Sequence, residues 1–325
     1  MTSQIPQKRI FLTGASGYVG SVITELAIKD GYQIHGLSRH EEGDSKLRNL
    51  GAVPVRGDLT SLEVLRQESK AADIVIHLAT AYVFGGEPYE TFRPIDTAAV
   101  DAIADALAGT DKPLVVTSGT LCVAADPTGA ETTEASPADP APINTRILTE
   151  LHSLDLEKRG VRVMSVRLAP YVYGRGGSGV AQFMGIAAQT VGVTIVDGGK
   201  NRTTNVHVDD AARLFLLAAE KGLAGEIYNA SSATDVTSFQ ISEAIAAAVH
   251  VSLRNISLEV AQAQLGQTIS FFLSTENRAS GAKARKELGW DPRGLGILED
   301  ISKGSYMEVA KALKKSLGDE ERGRR

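Results

Sequence analysis

The sequence predicts an α/β fold, a doubly wound parallel sheet with a smaller C-terminal lobe. Three observations carry this. Apolar runs of strand length alternate with segments of helical period through the first half of the chain. A glycine-rich loop joins the first such run to the first helical segment. After Pro170 the texture changes to glycine-broken loops, 174–179 and 197–199, followed by helices that no longer alternate strictly with strands.

The strands are expected at 9–13, 33–38, 53–56, 73–78, 113–118 and 161–168. Between the first two, Val19, Val22, Ile23, Leu26 and Ala27 share one face of a helix that Gly31 can close. Ile95, Ala98, Ala99, Ala102, Ile103, Ala106 and Leu107 do the same before Gly109, and their small side chains suit a buried helix. Further on, 205–208 reads as a short strand, Asp209 as the cap of a helix over 210–221, and 226–229 as a strand returning to the sheet. Residues 1–170 are thus expected to form the first domain, to which 205–230 returns, and 171–325 mainly the second lobe. The polar segment 317–325 is expected to fray.

At 325 residues, 43% hydrophobic and 22% charged, the chain can bury one large core or two that share a cleft. The formal charge of −5 comes without a block of like charge, which argues against nucleic acid as a partner. The longest mostly apolar stretch, 73–84, is too short for the roughly 20 residues of a membrane span, so no membrane partner is expected. No hydrophobic region of a secretory signal follows Lys8 and Arg9, and the single cysteine, Cys122, excludes an internal disulfide. The expectation is a cytoplasmic protein in a reducing compartment.

Thr13-Gly14-Ala15-Ser16-Gly17-Tyr18-Val19-Gly20 sits between the first strand and the first helix. There Gly14 makes the tight turn, Gly17 lets backbone N–H groups approach a pyrophosphate, and Gly20 lets the helix pack on the sheet. The second strand ends at Ser38-Arg39, 19 residues beyond Gly20, where an acid would hold the ribose 2′-hydroxyl of NAD. A guanidinium and a hydroxyl there point to a 2′-phosphate and NADP(H), unless Arg39 simply pairs with Glu41 or Glu42 in solvent. Asp58, in Gly57-Asp58-Leu59 after the third strand, either accepts from an adenine amino group or caps a helix.

These residues, with His77-Leu78-Ala79, Arg167-Leu168-Ala169-Pro170, Tyr173-Gly174, Val206-His207-Val208-Asp209-Asp210 and Leu288-Gly289-Trp290, carry a resemblance over nearly the whole chain. The sequence resembles the extended short-chain dehydrogenase/reductases, the NAD(P)-dependent epimerase/dehydratase-like proteins. That resemblance implies a Rossmann domain of about seven strands and a C-terminal substrate-binding lobe. It also implies that Leu59, Leu78, Ala79 and Thr80 border the cofactor and that Pro170 meets the nicotinamide. Helices near 94–108 and 143–159 often form a dimer face in the family, so a homodimer is one expectation.

Enzymes of the family use a Ser or Thr to orient a carbonyl, a Tyr to donate the proton, and a Lys four residues later that makes the phenol acidic. Thr120 falls on the hydroxyl position. Counting back from Glu150, which fits the acid that follows the family's lysine by four, places Arg146 on the lysine and Pro142 on the tyrosine; no tyrosine lies between residues 124 and 160. The departure resembles atypical subgroups that keep the cofactor motif and lose the Tyr-x-x-x-Lys pair. Arginine can bind the nicotinamide ribose and supply positive charge, but proline donates no proton. Tyr82, just past the fourth strand, is the preferred replacement acid, ahead of Tyr173 and His207. His35, His40, His152 and His250 lack metal-ligand spacing, and no metal is expected.

The leading expectation is an NADP(H)-dependent oxidoreductase for a small organic carbonyl or alcohol, with Thr120, Tyr82 and Arg146 as its catalytic residues. A nucleotide-binding regulator without turnover, and a lyase or isomerase that keeps the nucleotide as structure, are the alternatives. The segment 175–179, Gln182, Phe183, residues 200–202, Phe271 and Phe272 are expected to line a mixed apolar and basic substrate pocket.

Overall fold

A computed structural model describes residues 7–83 and 86–323. In chain order the elements of the first half are β1 (Arg9–Thr13), α1 (Tyr18–Lys29), β2 (Gln33–Ser38), α2 (Glu41–Asn49), β3 (Val53–Arg56), α3 (Leu62–Ala71), β4 (Ile74–His77), α4 (Tyr89–Leu107), β5 (Pro113–Gly119), α5 (Arg146–Asp155) and β6 (Arg162–Leu168). The second half adds β7 (Tyr171–Tyr173), α6 (Ser178–Thr190), β8 (Gly192–Val196), β9 (Asn205–His207), α7 (Val208–Lys221), β10 (Ile227–Ala230), α8 (Ser238–Val249), β11 (Ser252–Ile256), α9 (Leu258–Ser274), α10 (Ala282–Leu288), α11 (Ile297–Lys303) and α12 (Tyr306–Gly323).

Seven parallel strands build the Rossmann sheet in the order β3–β2–β1–β4–β5–β6–β10. Helices cover both faces, so the central strands are apolar throughout: Ile10, Phe11 and Leu12 of β1 and Val75 and Ile76 of β4 are fully buried. On one face Val22 and Ile23 of α1 pack with Leu214 and Phe215 of α7 and with Trp290. On the other, Leu65 of α3 meets Ala99, Ile103 and Leu107 of α4, whose small residues let it lie close to the sheet. A third core, with Tyr171, Val180, Met184, Ile241, Ile245 and Ile301, holds the second lobe, where β8 pairs β11 and β7 pairs β9. The strand order reverses at β1, between β2 and β4, and the crevice above that point is where this architecture places ligands.

Two local readings need correction. The cap of α7 is His207, whose Nδ1 accepts the Asp209 backbone N–H at 3.2 Å; Asp209 lies in the first turn and pairs with Arg175 instead. The C-terminal helix α12 also runs on through Gly323, where a frayed tail was expected from residue 317; residues 324–325 lie outside the described ones.

Glu150 of α5 and Arg167 of β6 form an ion pair in the interior, with side-chain exposures of 0% and 4%. Arg167 donates through Nη2 at 2.7 Å and through Nε at 3.0 Å, and Ser165 Oγ donates to the same carboxylate at 2.6 Å. Removing one partner leaves a buried charge without compensation, which costs about 3–5 kcal/mol. Arg167→Met is therefore expected to lower unfolding free energy by that amount in urea titrations, and Glu150→Gln/Arg167→Met to recover part of it. A loss below about 1 kcal/mol for the single variant would contradict this account.

Candidate active site

The site grows from the turn after β1. Gly14 takes a positive φ of 71°, and any side chain at Gly20 would run into the Gly14 carbonyl, so the start of α1 lies directly on the loop. Gly17 is the N-cap of α1, and its backbone N–H closes the turn onto Gly14 O at 3.0 Å. The free N–H groups at this helix start face a cavity of about 380 Å³ bordered by Gly14, Ser16, Gly17, Arg39, Asp58 and Leu59, and by Ala79 and Thr80. Leu37, Thr60, Ala81, Phe92 and Ile95 complete its wall and were not picked from the sequence. A small loop at a helix N-terminus, an apolar slot and a guanidinium at the far end fit a dinucleotide.

Several residues assigned to this cofactor surface prove to act behind it. The Thr13 hydroxyl is buried; it accepts the Ala79 N–H at 3.2 Å and lies 2.9 Å from His77 Nδ1, so it ties β1 to the end of β4. Ser38 is 3% exposed and donates to His40 O at 3.1 Å, which commits its proton to the turn into α2. The Tyr18 hydroxyl donates to Gly174 O at 2.8 Å and its ring packs on Gly177, in the second lobe; burial drives its pKa strongly upward. Leu78 and Val19 pack against the core rather than the cavity. Asp58 Oδ1 receives the Thr60 hydroxyl and N–H, which hold the carboxyl below its ordinary pKa; among the described residues Oδ2 has no partner. The cap of α3 is Ser61.

Arg39 is exposed at the mouth of the cavity. Glu41, a competitor for it, is taken by Arg48 and Arg56, and among the described residues no acid pairs with Arg39. Lys46 on α2 reaches over the loop and donates to Ser16 O at 2.7 Å. Its ammonium adds a second positive charge there, a residue that sequence reading missed and that only the inward face of α2 would have signalled.

A second cavity, of about 280 Å³, brings together residues far apart in the chain: Tyr82, Thr120, Arg146 and Pro170, with Pro142 beside them. Arg146 is half-buried at the start of α5, and its guanidinium has neither an ion pair nor a hydrogen bond among the described residues. Tyr82 is half-buried, its ring edge-on to Tyr89 and Phe92, and among the described residues its hydroxyl has no hydrogen-bond partner. Thr120 differs from expectation. It is 1% exposed and donates to Asn277 Oδ1 at 2.9 Å, while Asn277 Nδ2 donates back to Thr120 O at 3.2 Å. Thr117 likewise donates to His77 O at 3.1 Å. Of the expected pocket wall, Phe271 and Phe272 are in place, but Arg175 pairs with Glu25 and Asp209, and Arg202 with Glu276, so no basic wall forms.

Between the two cavities lies a polar core. Asp96 of α4, 4% exposed, accepts from the Thr80 hydroxyl at 2.6 Å, the Ala81 N–H at 2.7 Å and the Tyr89 hydroxyl at 3.1 Å, which fixes the 79–82 segment that borders both cavities. Burial raises Tyr89 to about 12. Among the described residues no cluster of His, Cys, Asp and Glu could hold a metal, and no helix is long and apolar enough to cross a membrane.

This arrangement defines a dinucleotide-binding α/β protein with a second ligand cavity beside the cofactor cradle. The chain belongs to the NAD dependent epimerase/dehydratase family, whose model matches residues 10–231. An uncharacterized protein of Schizosaccharomyces pombe is 34% identical over 92% of this chain and 99% of its own. A 4-hydroxy-2-methyl-3-oxo-4-farnesyl-3,4-dihydroquinoline-1-oxide ketoreductase of Stigmatella aurantiaca is 25% identical over 88% of this chain and 92% of its own. The UDP-glucose 4-epimerase of Thermotoga maritima superposes with a TM-score of 0.74 at 19% identity, covering 95% of this chain and 99% of that one.

Burial pulls the His77 imidazole from its ordinary 6.5 down to about 4. The folded state therefore favours neutral His77, whose Nδ1 shares a hydrogen bond with the Thr13 hydroxyl. The contribution is complete above pH 6.5 and is lost progressively as the pH falls from 6.5 to about 4, the range in which the unfolded chain binds a proton that the folded chain refuses. It amounts to roughly 3 kcal/mol. His77→Asn is expected to flatten the stability difference between pH 7 and pH 4.5 relative to the parent; parallel urea midpoints in the two proteins would refute it.

Proposed function

We propose that the protein is an NADP(H)-dependent oxidoreductase acting on a small organic carbonyl compound or the matching alcohol. The observation that carries this is the convergence of an unpartnered guanidinium, Arg146, and an unpartnered phenol, Tyr82, on one cavity that adjoins the cofactor cradle. The Stigmatella relative's name, a ketoreductase, agrees with it. A bound nicotinamide dinucleotide would supply or accept the hydride at the carbonyl carbon.

The chain's own residues divide the remaining work. The backbone N–H groups at the start of α1 hold the pyrophosphate, and Asp58 Oδ2 is available to the adenine amino group. Arg39 and Lys46 bind the 2′-phosphate. Arg146 takes the lysine's place: it binds the nicotinamide ribose and keeps positive potential beside the developing alkoxide. Tyr82 Oη gives the proton that Pro142 cannot. Thr120 presents only its lone pairs to the cavity while its proton goes to Asn277, so it positions the β5 end and polarises a substrate oxygen only if Asn277 releases it.

Cofactor preference follows from Arg39. Arg39→Ala is expected to weaken NADPH by about 1.5–3 kcal/mol, or roughly 10- to 150-fold, with little change for NADH. Equal affinity of the parent for both nucleotides in calorimetric titration would end the NADP reading.

The two cavity residues separate by variant. Arg146→Met should weaken NADPH and NADP+ alike while leaving the nucleotide-free melting temperature nearly unchanged, because its guanidinium holds nothing in the folded chain. Tyr82→Phe should keep nucleotide affinity and cut kcat by about 10²- to 10⁴-fold. If Tyr82→Phe turns over like the parent, the proton comes from water and Tyr82 is only wall.

A further inference from the structure

The cavity that holds Tyr82 and Arg146 also limits what can react there. Among the described residues seventeen line it, and Arg146 is the only charged one of these. Two of the arginines expected in its wall are already neutralised, Arg175 by Glu25 and Asp209 and Arg202 by Glu276, and Lys200 is exposed and does not line the cavity. A diphosphate or a second carboxylate would enter this space without a counter-charge, and an unpaired buried anion is strongly disfavoured. A nucleotide sugar, which must seat two phosphates, lacks the guanidinium and ammonium groups that such recognition uses.

What the walls offer is aromatic surface. Tyr82 closes one side. On the other, α9 breaks helical geometry at Gly266, with φ 78° and ψ 166°, and its following turns set Thr268, Phe271 and Phe272 against the cavity. Phe272 is held from behind, its ring centroid 4.9 Å from Tyr171 and 6.1 Å from Phe183, so its orientation is fixed before a ligand arrives. Leu121, Ile143 and Pro170 fill the gaps between the rings. Phenyl rings in such a frame favour offset or edge contacts with another ring. The volume of about 280 Å³ lies at the low end for a ligand pocket and must also admit the nicotinamide.

We propose that the substrate is a small uncharged aryl carbonyl compound, an aromatic aldehyde or ketone of a single ring, clasped between Tyr82 and the Phe271–Phe272 pair. This rests on the oxidoreductase reading. In the reaction the carbonyl carbon gains hydride from the reduced nicotinamide, its oxygen gains the proton of Tyr82 Oη, the C=O π bond becomes C–O–H, the nicotinamide is left oxidised, and water reprotonates Tyr82.

The full-length protein should be tested with benzaldehyde, cyclohexanecarbaldehyde, pyruvate and UDP-4-keto-6-deoxyglucose as oxidants of NADPH, and by saturation-transfer NMR of benzyl alcohol binding. Benzaldehyde is expected to exceed the saturated ring about tenfold in kcat/KM and the two anions by at least about 100-fold. Phe272→Leu, which keeps an apolar side chain and the fold, should raise KM for benzaldehyde about tenfold and weaken benzyl alcohol to match, while shifting the saturated ring less than about twofold. NADPH oxidation that favours pyruvate or UDP-4-keto-6-deoxyglucose, or that treats the two rings alike, overturns the aryl proposal and leaves the oxidoreductase standing. Failure of every carbonyl, and of benzyl alcohol with NADP+, overturns the oxidoreductase reading. Absence of benzyl alcohol binding, or binding indifferent to Phe272→Leu, overturns the aryl clasp by itself.

Discussion

Glu150 and Arg167 meet where α5 crosses β6, and the geometry of the candidate site depends on that contact. Side chains four residues apart share one face of a helix. Fixing Glu150 against the sheet therefore fixes Arg146, one turn earlier, over the end of β5 between the two cavities. Arg167 is in turn the first residue of the stretch that ends in Pro170, a wall of the second cavity. A buried pair of this kind contributes little net stability compared with an apolar replacement. Here its directional hydrogen bonds select one rotation of α5 among those an amphipathic helix could adopt.

The lobes are joined as firmly as either is built. Tyr18 of the phosphate loop donates to Gly174 O, and Tyr306 receives the Gly174 N–H and donates to Gly177 O, so the first turn of α1 and the last helix hold the same loop. Asp210 on α7 accepts from the backbone of Arg293 and Gly294, and Trp290 Nε1 donates to Asp210 O. Asn277 clasps the end of β5 from a segment that follows α9, so the aromatic wall and the strand that borders the site are set by one stretch of chain.

The fold was largely legible because its signals are local. Strand period, helix period and the glycine turn read correctly to within one residue at each of the sheet's strands, and the crevice follows from strand order. Individual hydroxyls were not legible. Thr120 finds its partner 157 residues away and Tyr18 its own 156 residues away, distances over which no spacing rule operates. Ser38 and Thr13 were misread for a related reason: a small hydroxyl at a strand end serves the nearest backbone as readily as a ligand. Lys46 was missed because its reach is a property of how α2 sits on β3, and the basic wall failed because acids from α1, α7 and the segment after α9 had claimed its arginines. The Arg146 position was readable, since it depends on a spacing within one helix.

The seventh strand of the sheet has a consequence for how the molecule is made. Strand β10 pairs with β6, yet about 60 residues separate them in the chain, and α7, which covers α1, lies in the same late stretch. During synthesis the ribosome releases the first six strands with β6 as an open edge and one face of α1 bare. Unpaired edges and uncovered apolar faces are the surfaces through which chains stick to one another. The nascent protein must carry both until residue 230 is clear of the exit tunnel, so its yield in a crowded cell is governed by how quickly that late stretch arrives rather than by the stability of the half already made.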